Sequence, residues 1–175
     1  LIFDASSPGR VLARLDLKGV YACDDILNAP GTWYAVNTGL PYLDIRDLEA
    51  RPSQPGTFWA ALGSTTRLGG VFYSTDGGRN WQQVGATSLQ VADIQSLVVA
   101  PSNPSRLYLA TRDTWIAPNM HYGGVFRSDD SGQTWQRLLT DTYPQPVAVD
   151  PQDSNIVYVG VKGDPFRDLC AGRGI

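Results

Sequence analysis

The chain has 175 residues, a formal net charge of −3, 18 glycines, 12 prolines and 18 aromatic residues (5 Trp, 8 Tyr, 5 Phe). That balance excludes a nucleic-acid binder, which needs a basic footprint, and no apolar run approaches the ~20 residues of a membrane span. Abundant turn formers without long helical periodicity point to an all-β fold, long enough to bury a sizeable core.

Nothing at the N-terminus has the pattern of a leader, and Leu1 is not an initiator Met, so the segment is expected to lie inside a longer gene product. The two cysteines, Cys23 and Cys170, fall at non-equivalent places. They read as free, partly buried thiols, the alternative being a bond that closes a very long loop.

From the N-terminus, the first recurring phrase is Phe3–Arg14, FDASSPGRVLAR. It returns as Ala50–Ala61 (ARPSQPGTFWAA), Val99–Ala110 (VAPSNPSRLYLA) and Val149–Gly160 (VDPQDSNIVYVG). Aligning Ala5, Pro52, Pro101 and Pro151 gives steps of 47, 49 and 50 residues. Proline fixes φ and offers no donor, so the polar half of each phrase is a turn and the apolar half a strand leaving it.

The second phrase begins at Gly19, GVYACDD, and ends at Trp33. It recurs more strictly as Gly69–Trp81, GGVFYSTDGGRNW, and Gly123–Trp135, GGVFRSDDSGQTW. The two strict copies share Ser-x-Asp-x-Gly-x-x-Trp: Ser74, Asp76, Gly78 and Trp81, then Ser128, Asp130, Gly132 and Trp135. Ser and Asp side chains close a tight turn onto its backbone, Gly supplies a φ > 0 position, and Trp carries apolar surface into the packing below. A third phrase, Asp44-Ile45-x-x-Leu48, recurs as Asp93-Ile94-x-x-Leu97, 49 residues on.

Three phrases on one period of about 50 residues define a structural repeat. Each unit reads as four short antiparallel strands, in the third Asp93–Ala100, Arg106–Arg112, Gly123–Ser128 and Thr134–Leu139. That is a β-propeller blade. The expected division is one partial propeller domain over 1–175: blade one 1–37, blade two 44–85, blade three 93–139 and the start of blade four 145–175. This makes about three and a half blades, whereas rings usually close with roughly four to eight. A longer chain or a second copy is therefore expected to complete the ring, and open edges favour self-association.

The Ser-x-Asp-x-Gly-x-x-Trp turns, with the Val-Asp-Pro…Val-Tyr-Val-Gly phrase, resemble the Asp boxes (bacterial neuraminidase repeats) of a propeller superfamily. It includes sialidases, xyloglucan-active glycoside hydrolases and sortilin-type receptors. The resemblance implies that Ser74, Asp76, Gly78, Trp81, Ser128, Asp130, Gly132 and Trp135 are structural and lie away from any ligand. The segment Leu12–Tyr21, LARLDLKGVY, is similar to the xyloglucanase stretch Ala-Arg-Thr-Asp-Val-Gly-Gly-Ala-Tyr, which implies a catalytic role for Asp16. Leu15 stands for Thr and Lys18 for Gly. The sialidase Arg-Ile-Pro motif is absent.

Antiparallel strands put the turns joining strands one to two and three to four on one face, and all other loops on the opposite face. Function is expected on that second face, in loops of unequal length on a rigid scaffold. The third unit's loop, Asp113–Tyr122, holds Trp115, Tyr122, the only His of the chain (His121) and Asp113. An aromatic face beside hydrogen-bonding groups suits a sugar ring, the alternative being that Trp115 folds back over its own loop. Asp44 and Asp93 begin equivalent inner strands near the channel mouth. They are candidate acid and base of a glycosidase, or caps of their own loops. No metal or cofactor is expected, and the Ser-x-Asp turns lack the alternating ligands and closing Glu of an EF-hand calcium loop.

The leading expectation is an extracellular or periplasmic propeller module that binds a glycan or protein partner without catalysis. The alternatives are part of a secreted glycoside hydrolase, of xyloglucanase or sialidase type, and a structural subunit of a repeating assembly.

Overall fold

The computed structural model describes residues 1–4, 7, 9–28, 31–52, 54–89, 91, 93–116, 118–121, 123–140 and 144–161, and its regular elements there are all β-strands. The first sheet holds β1 (Ile2–Phe3), β2 (Val11–Leu15), β3 (Gly19–Cys23) and β4 (Tyr34–Ala35) in that spatial order. The second repeats the pattern with β5 (Ile45–Ala50), β6 (Phe58–Leu62), β7 (Gly70–Ser74) and β8 (Gln82–Val84). In the third, β9 (Asp93–Val99) and β10 (Leu107–Arg112) are followed by a small separate hairpin, β11 (Thr114–Ile116) and β12 (Asn119–His121). The sheet then resumes with β13 (Gly124–Ser128) and β14 (Gln136–Leu139). β15 (Pro144–Val149) and β16 (Val157–Val161) pair alone. Every pairing between named strands is antiparallel. No helix among the described residues is long and apolar enough to cross a membrane.

Side-chain alternation along the middle strands explains how the sheets stack. β6, Phe-Trp-Ala-Ala-Leu, is buried along its whole length. Phe58, Ala60 and Leu62 join Leu12, Val20, Ala22 and Val36 of the first sheet in one core. Trp59 and Ala61 point the other way, into a core with Leu97, Leu107 and Leu109 of the third sheet. β10 repeats the device: Leu107 and Leu109 face the second sheet, while Tyr108 and Ala110 meet Val147 and Val157. A strand buried on both faces reads as a continuous apolar run, and face-to-face stacking of such sheets is the blade arrangement of a propeller.

The two ends of the sheets differ. At one end the two turns of each sheet are zipped by a backbone bond: Ile26 N–H to Gly9 O (2.8 Å), Gly77 N–H to Gly56 O (2.9 Å) and Ser131 N–H to Ser105 O (2.8 Å). At the other end, loops meet connections between sheets: Tyr42 Oη–H donates to Leu68 O (2.7 Å), and Gly69 N–H to Val91 O (2.8 Å).

Two sequence expectations change. β14 starts at Gln136 rather than Thr134, because Thr134 is bound into the preceding turn. Within the loop expected at Asp113–Tyr122, Thr114–Ile116 and Asn119–His121 pair as the small β11–β12 hairpin. Cys23 is a buried free thiol, and Cys170 lies outside the described residues.

Candidate functional site

The Ser-x-Asp turns form closed hydrogen-bond rings with the same members in both copies. Ser74 Oγ–H donates to Asp76 Oδ1 (2.8 Å) and accepts Gly78 N–H (3.0 Å). Asp76 in turn accepts the backbone N–H (3.0 Å) and the side-chain amide (2.7 Å) of Asn80. Ser128, Asp130, Gly132 and Thr134 repeat this, at 2.8 Å for Ser128 to Asp130 and for Gly132 N–H to Ser128, with Thr134 N–H and Oγ–H on Asp130 at 2.8 and 2.6 Å. Asn80 and Thr134 are members that sequence reading missed, although each directly precedes the repeated Trp. The backbone crosses to positive φ at Gly77 and Gly78 in one turn and at Ser131 and Gly132 in the other. These aspartates are consumed by the turns. Partial burial raises their carboxyls, and the bonds from Asn80 or Thr134 and from Ser74 or Ser128 outweigh it, so both are held below the usual carboxylate range.

The opposite face carries a continuous polar line across three sheets. It starts at the β2–β3 turn, where Lys18 N–H bonds Leu15 O (3.1 Å), Leu17 sits at φ 54 and Asp16 is exposed to solvent. Two residues earlier, Arg14 Nη1 donates to Ile45 O (3.2 Å), which ties this turn to the start of β5. There a β-bulge between Ile45 and Asp47 throws Arg46 out of the ladder, and such bulges re-aim side chains. Arg46 reaches Asp44 (Nε to Oδ1, 3.3 Å), Gly63 O (3.2 Å) and Asp93 (Nη2 to Oδ1, 4.0 Å). β9 has the same irregularity, and its displaced Gln95 donates to Asp93 Oδ1 at 2.8 Å.

Asp93 is 3% exposed and forms the hub. Its other oxygen, Oδ2, takes Arg112 Nη2 at 2.8 Å. A buried carboxylate is tolerable only when paired and hydrogen-bonded, and here Arg112 and Gln95 meet that need, with the Arg46 guanidinium of the second sheet adding its charge at 4.0 Å. Tyr42 lies nearby under the Arg67 guanidinium, 5.7 Å from its ring centre. Burial, then the Asp44 charge, push its phenol up to about 12.

The line ends at the hairpin. Asp113 Oδ1 accepts Gly123 N–H at 2.6 Å and closes the hairpin's base. Trp115, opposite Met120 in the hairpin register, is 64% exposed. It therefore stands out from the face instead of folding back. His121 pairs with Thr114 in the hairpin backbone, and Tyr122 lies outside the described residues. Of the residues picked from sequence, the structure joins Asp44 and Asp93 through Arg46, and Asp113 and Trp115 through one hairpin. Asp16 lies at the far end of the line. Arg46 and Arg112 were invisible to a periodic reading because the repeat places Gln95 and Gly63 at their positions. Among the described residues, no three His, Cys, Asp or Glu side chains are grouped to hold a metal ion.

No family model matches the sequence. Curated relatives do: the chain is 31% identical over 124 residues, 67% of its length, to a probable oligoxyloglucan-reducing end-specific xyloglucanase of Neosartorya fischeri. It is 27% identical over 172 residues, 89% of its length, to a xyloglucanase of Hypocrea jecorina. The chain is thus homologous to xyloglucanases, but spans only 15% and 19% of those two proteins. Among solved structures, it superposes over 91% of its length on the GH74 xyloglucanase from Xanthomonas campestris (TM-score 0.69, 19% identity, 27% of that chain). The GH74 enzyme of Niastella koreensis matches similarly (91% of this chain, 26% of that one, TM-score 0.67, 21% identity). At these identities the likeness shows the fold, which is a partial β-propeller.

Proposed function

We propose, from the homology to xyloglucanases, that these blades belong to an extracellular glycoside hydrolase acting on xyloglucan or a related β-glucan, and that they supply part of its polysaccharide-binding face. The observation that carries this reading is the 31% identity to a probable xyloglucanase; an outward-standing Trp115 at the end of a line of fixed polar groups supports it. A sugar ring would lie on the indole, which offers an apolar face to its C–H groups, with polar partners at its edge. Asp16 is the catalytic candidate, since it is exposed on the binding face and its carboxylate is not taken up by a hydrogen bond among the described residues. Asp44 and Asp93 are better read as parts of the scaffold, because each already faces a guanidinium. The Ser-Asp turns are Asp boxes in this reading, and they act in folding only.

One observation favours the non-catalytic alternative for the 175 residues taken alone. Hydrolysis of a glycosidic bond uses two carboxyl groups flanking it, and among the described residues Asp44, Asp93 and Asp113 of the binding face are each engaged by a guanidinium or a backbone N–H, leaving Asp16. On this account the chain binds saccharide, and turnover needs a carboxylate supplied from elsewhere in a longer protein.

The test is calorimetric titration of the chain with xyloglucan oligosaccharides, using cello-oligosaccharides as comparison. Trp115→Ala should weaken binding by about 1–3 kcal/mol, the scale of one buried apolar contact, with an unchanged melting temperature. Asp130→Ala should lower the melting temperature and keep affinity in the folded fraction. Binding that survives Trp115→Ala but vanishes in a folded Asp130→Ala would move the site to the opposite face and overturn the proposal.

A further inference from the structure

We propose that the buried Asp93 carboxylate is a positioning residue that locks two separate loops of the binding face into one rigid platform. The loops are the segment after β6, which starts at Gly63, and the β11–β12 hairpin that carries Trp115. Each is tied to Asp93 through one arginine. On one side Arg46 lies 4.0 Å from Asp93 Oδ1 and donates through Nε to Gly63 O at 3.2 Å. On the other, Arg112 meets Asp93 Oδ2 at 2.8 Å and is followed directly by Asp113, whose carboxylate closes the hairpin base on Gly123.

The arrangement works because of where the charge sits. Each arginine side chain is about one-third exposed, while the Asp93 side chain is almost fully buried. The carboxylate cannot trade its partners for water: it binds Arg112 at 2.8 Å and attracts Arg46 across 4.0 Å, while Asp44 at 3.3 Å steadies Arg46 from its other side. Gly63 is also pressed against β9: a Cβ there would fall 2.8 Å from Ile94 N and 2.9 Å from Ile94 O. The first residue of one loop thus touches the strand that carries the hub. A preorganised site needs such support beneath its contact residues. Lone capping of β9 by Asp93 would predict only local effects, whereas coupling through Asp93 predicts that a change in blade two is felt in blade three.

The use of the platform rests on the binding-face reading above, but its rigidity can be measured without a ligand. Hydrogen–deuterium exchange should be followed in peptides covering 63–69 and 112–123 of the 175-residue chain. Asp93→Asn should speed exchange in both by about tenfold or more, the signature of local opening. Arg46→Ala, made in blade two, should speed the blade-three peptide 112–123 as well as 63–69, and the double variant should exceed Asp93→Asn alone by little. If Arg46→Ala loosens only 63–69, or the two effects add in full, the proposal is overturned. Should Asp93→Asn fail to fold, the Arg46→Ala result decides by itself. Titration with xyloglucan oligosaccharides separates the two ideas. Coupled loosening in a chain that binds no sugar removes the binding reading and leaves the platform. Affinity lost in Arg46→Ala without loosening of the hairpin does the reverse.

Discussion

Tryptophan placement shows how one repeated residue acquires different energetic weight. Trp33, Trp81 and Trp135 each directly precede the outermost strand of a sheet. Trp81 is 3% exposed, and its Nε1–H donates to Val36 O of the preceding sheet at 2.9 Å. Trp135 is 8% exposed and lies against Gly85 of the preceding sheet, where a Cβ would come within 2.6 Å of the indole. Trp33 is 38% exposed, because no sheet among the described residues lies on its outer side. The residue is therefore a wedge between neighbouring blades, and its value depends on having a neighbour. Trp81→Ala and Trp135→Ala should each cost about 3–5 kcal/mol in denaturant unfolding, and Trp33→Ala less than about 1 kcal/mol. Equal losses at all three positions would refute the wedge account.

At the scale of the element, the inner strands β9 and β15 have no ladder partner on their channel side among the described residues, so their outward N–H groups need acceptors. Side chains of the preceding blade provide them. Leu97 N–H bonds Asp47 Oδ2 (3.0 Å), Val99 N–H bonds the Glu49 carboxyl, and Val147 N–H reaches Ser96 Oγ (3.4 Å). Asp47 also takes Leu48 N–H at 3.0 Å and feels the charge of Arg14 and a bond from Ser96. Burial, then the neighbouring Asp47 charge, push the Glu49 carboxyl up to about 8 against the opposing Val99 bond. Burial likewise raises Asp47. The sign follows from proton binding: between about pH 4.3, where the unfolded side chain ionises, and about 8, the folded chain holds a proton that the unfolded chain has lost. Stability from this group is thus greatest at low pH, falls as pH rises through that window, and levels above it. The loss should amount to roughly 2–5 kcal/mol. Glu49→Gln, which resembles the protonated acid, should flatten the profile and melt above the parent at pH 8. A parent and variant with parallel profiles from pH 5 to 8 would show that Glu49 is ionised in the fold.

For the whole molecule, stacked sheets leave two outer faces, and they are finished differently. On the first sheet, Val11, Ala13 and Cys23 point outward yet are buried. Described residues between β3 and β4 lie against this face: a Cβ on Gly31 would fall 2.4 Å from the Cys23 sulfur, and Ile26 N–H bonds Gly9 O. At the other end, β15 and β16 form a half-sheet with Tyr158 60% exposed beside exposed Ile156. A blade cannot bury both faces alone, so this end is the predicted contact for further blades or for a second copy. Sedimentation of the 175-residue chain should show concentration-dependent association, and Tyr158→Lys should shift it toward monomer. A parent chain that stays monomeric at high concentration would argue that the half-sheet needs no cover.

The repeat, the four-strand unit and the separation of the two ends were legible from sequence, because each depends on local chemistry: turn residues, alternation along a strand and the reversal of direction at every turn. Ser74, Asp76, Ser128 and Asp130 could be read as a closed turn for the same reason, since all their partners lie within a few residues. What only the tertiary structure decided is which side chains meet between blades. Arg46 approaches Asp93 from the neighbouring sheet through a bulge and Arg112 from the facing position on β10, and neither stands at a repeated position, so no period announces them. The exposure of Trp115 and Trp33 was equally out of reach, because burial belongs to the neighbour a residue finds and not to the phrase it is written in. The local code therefore specified the blade, and packing between blades arranged the candidate site.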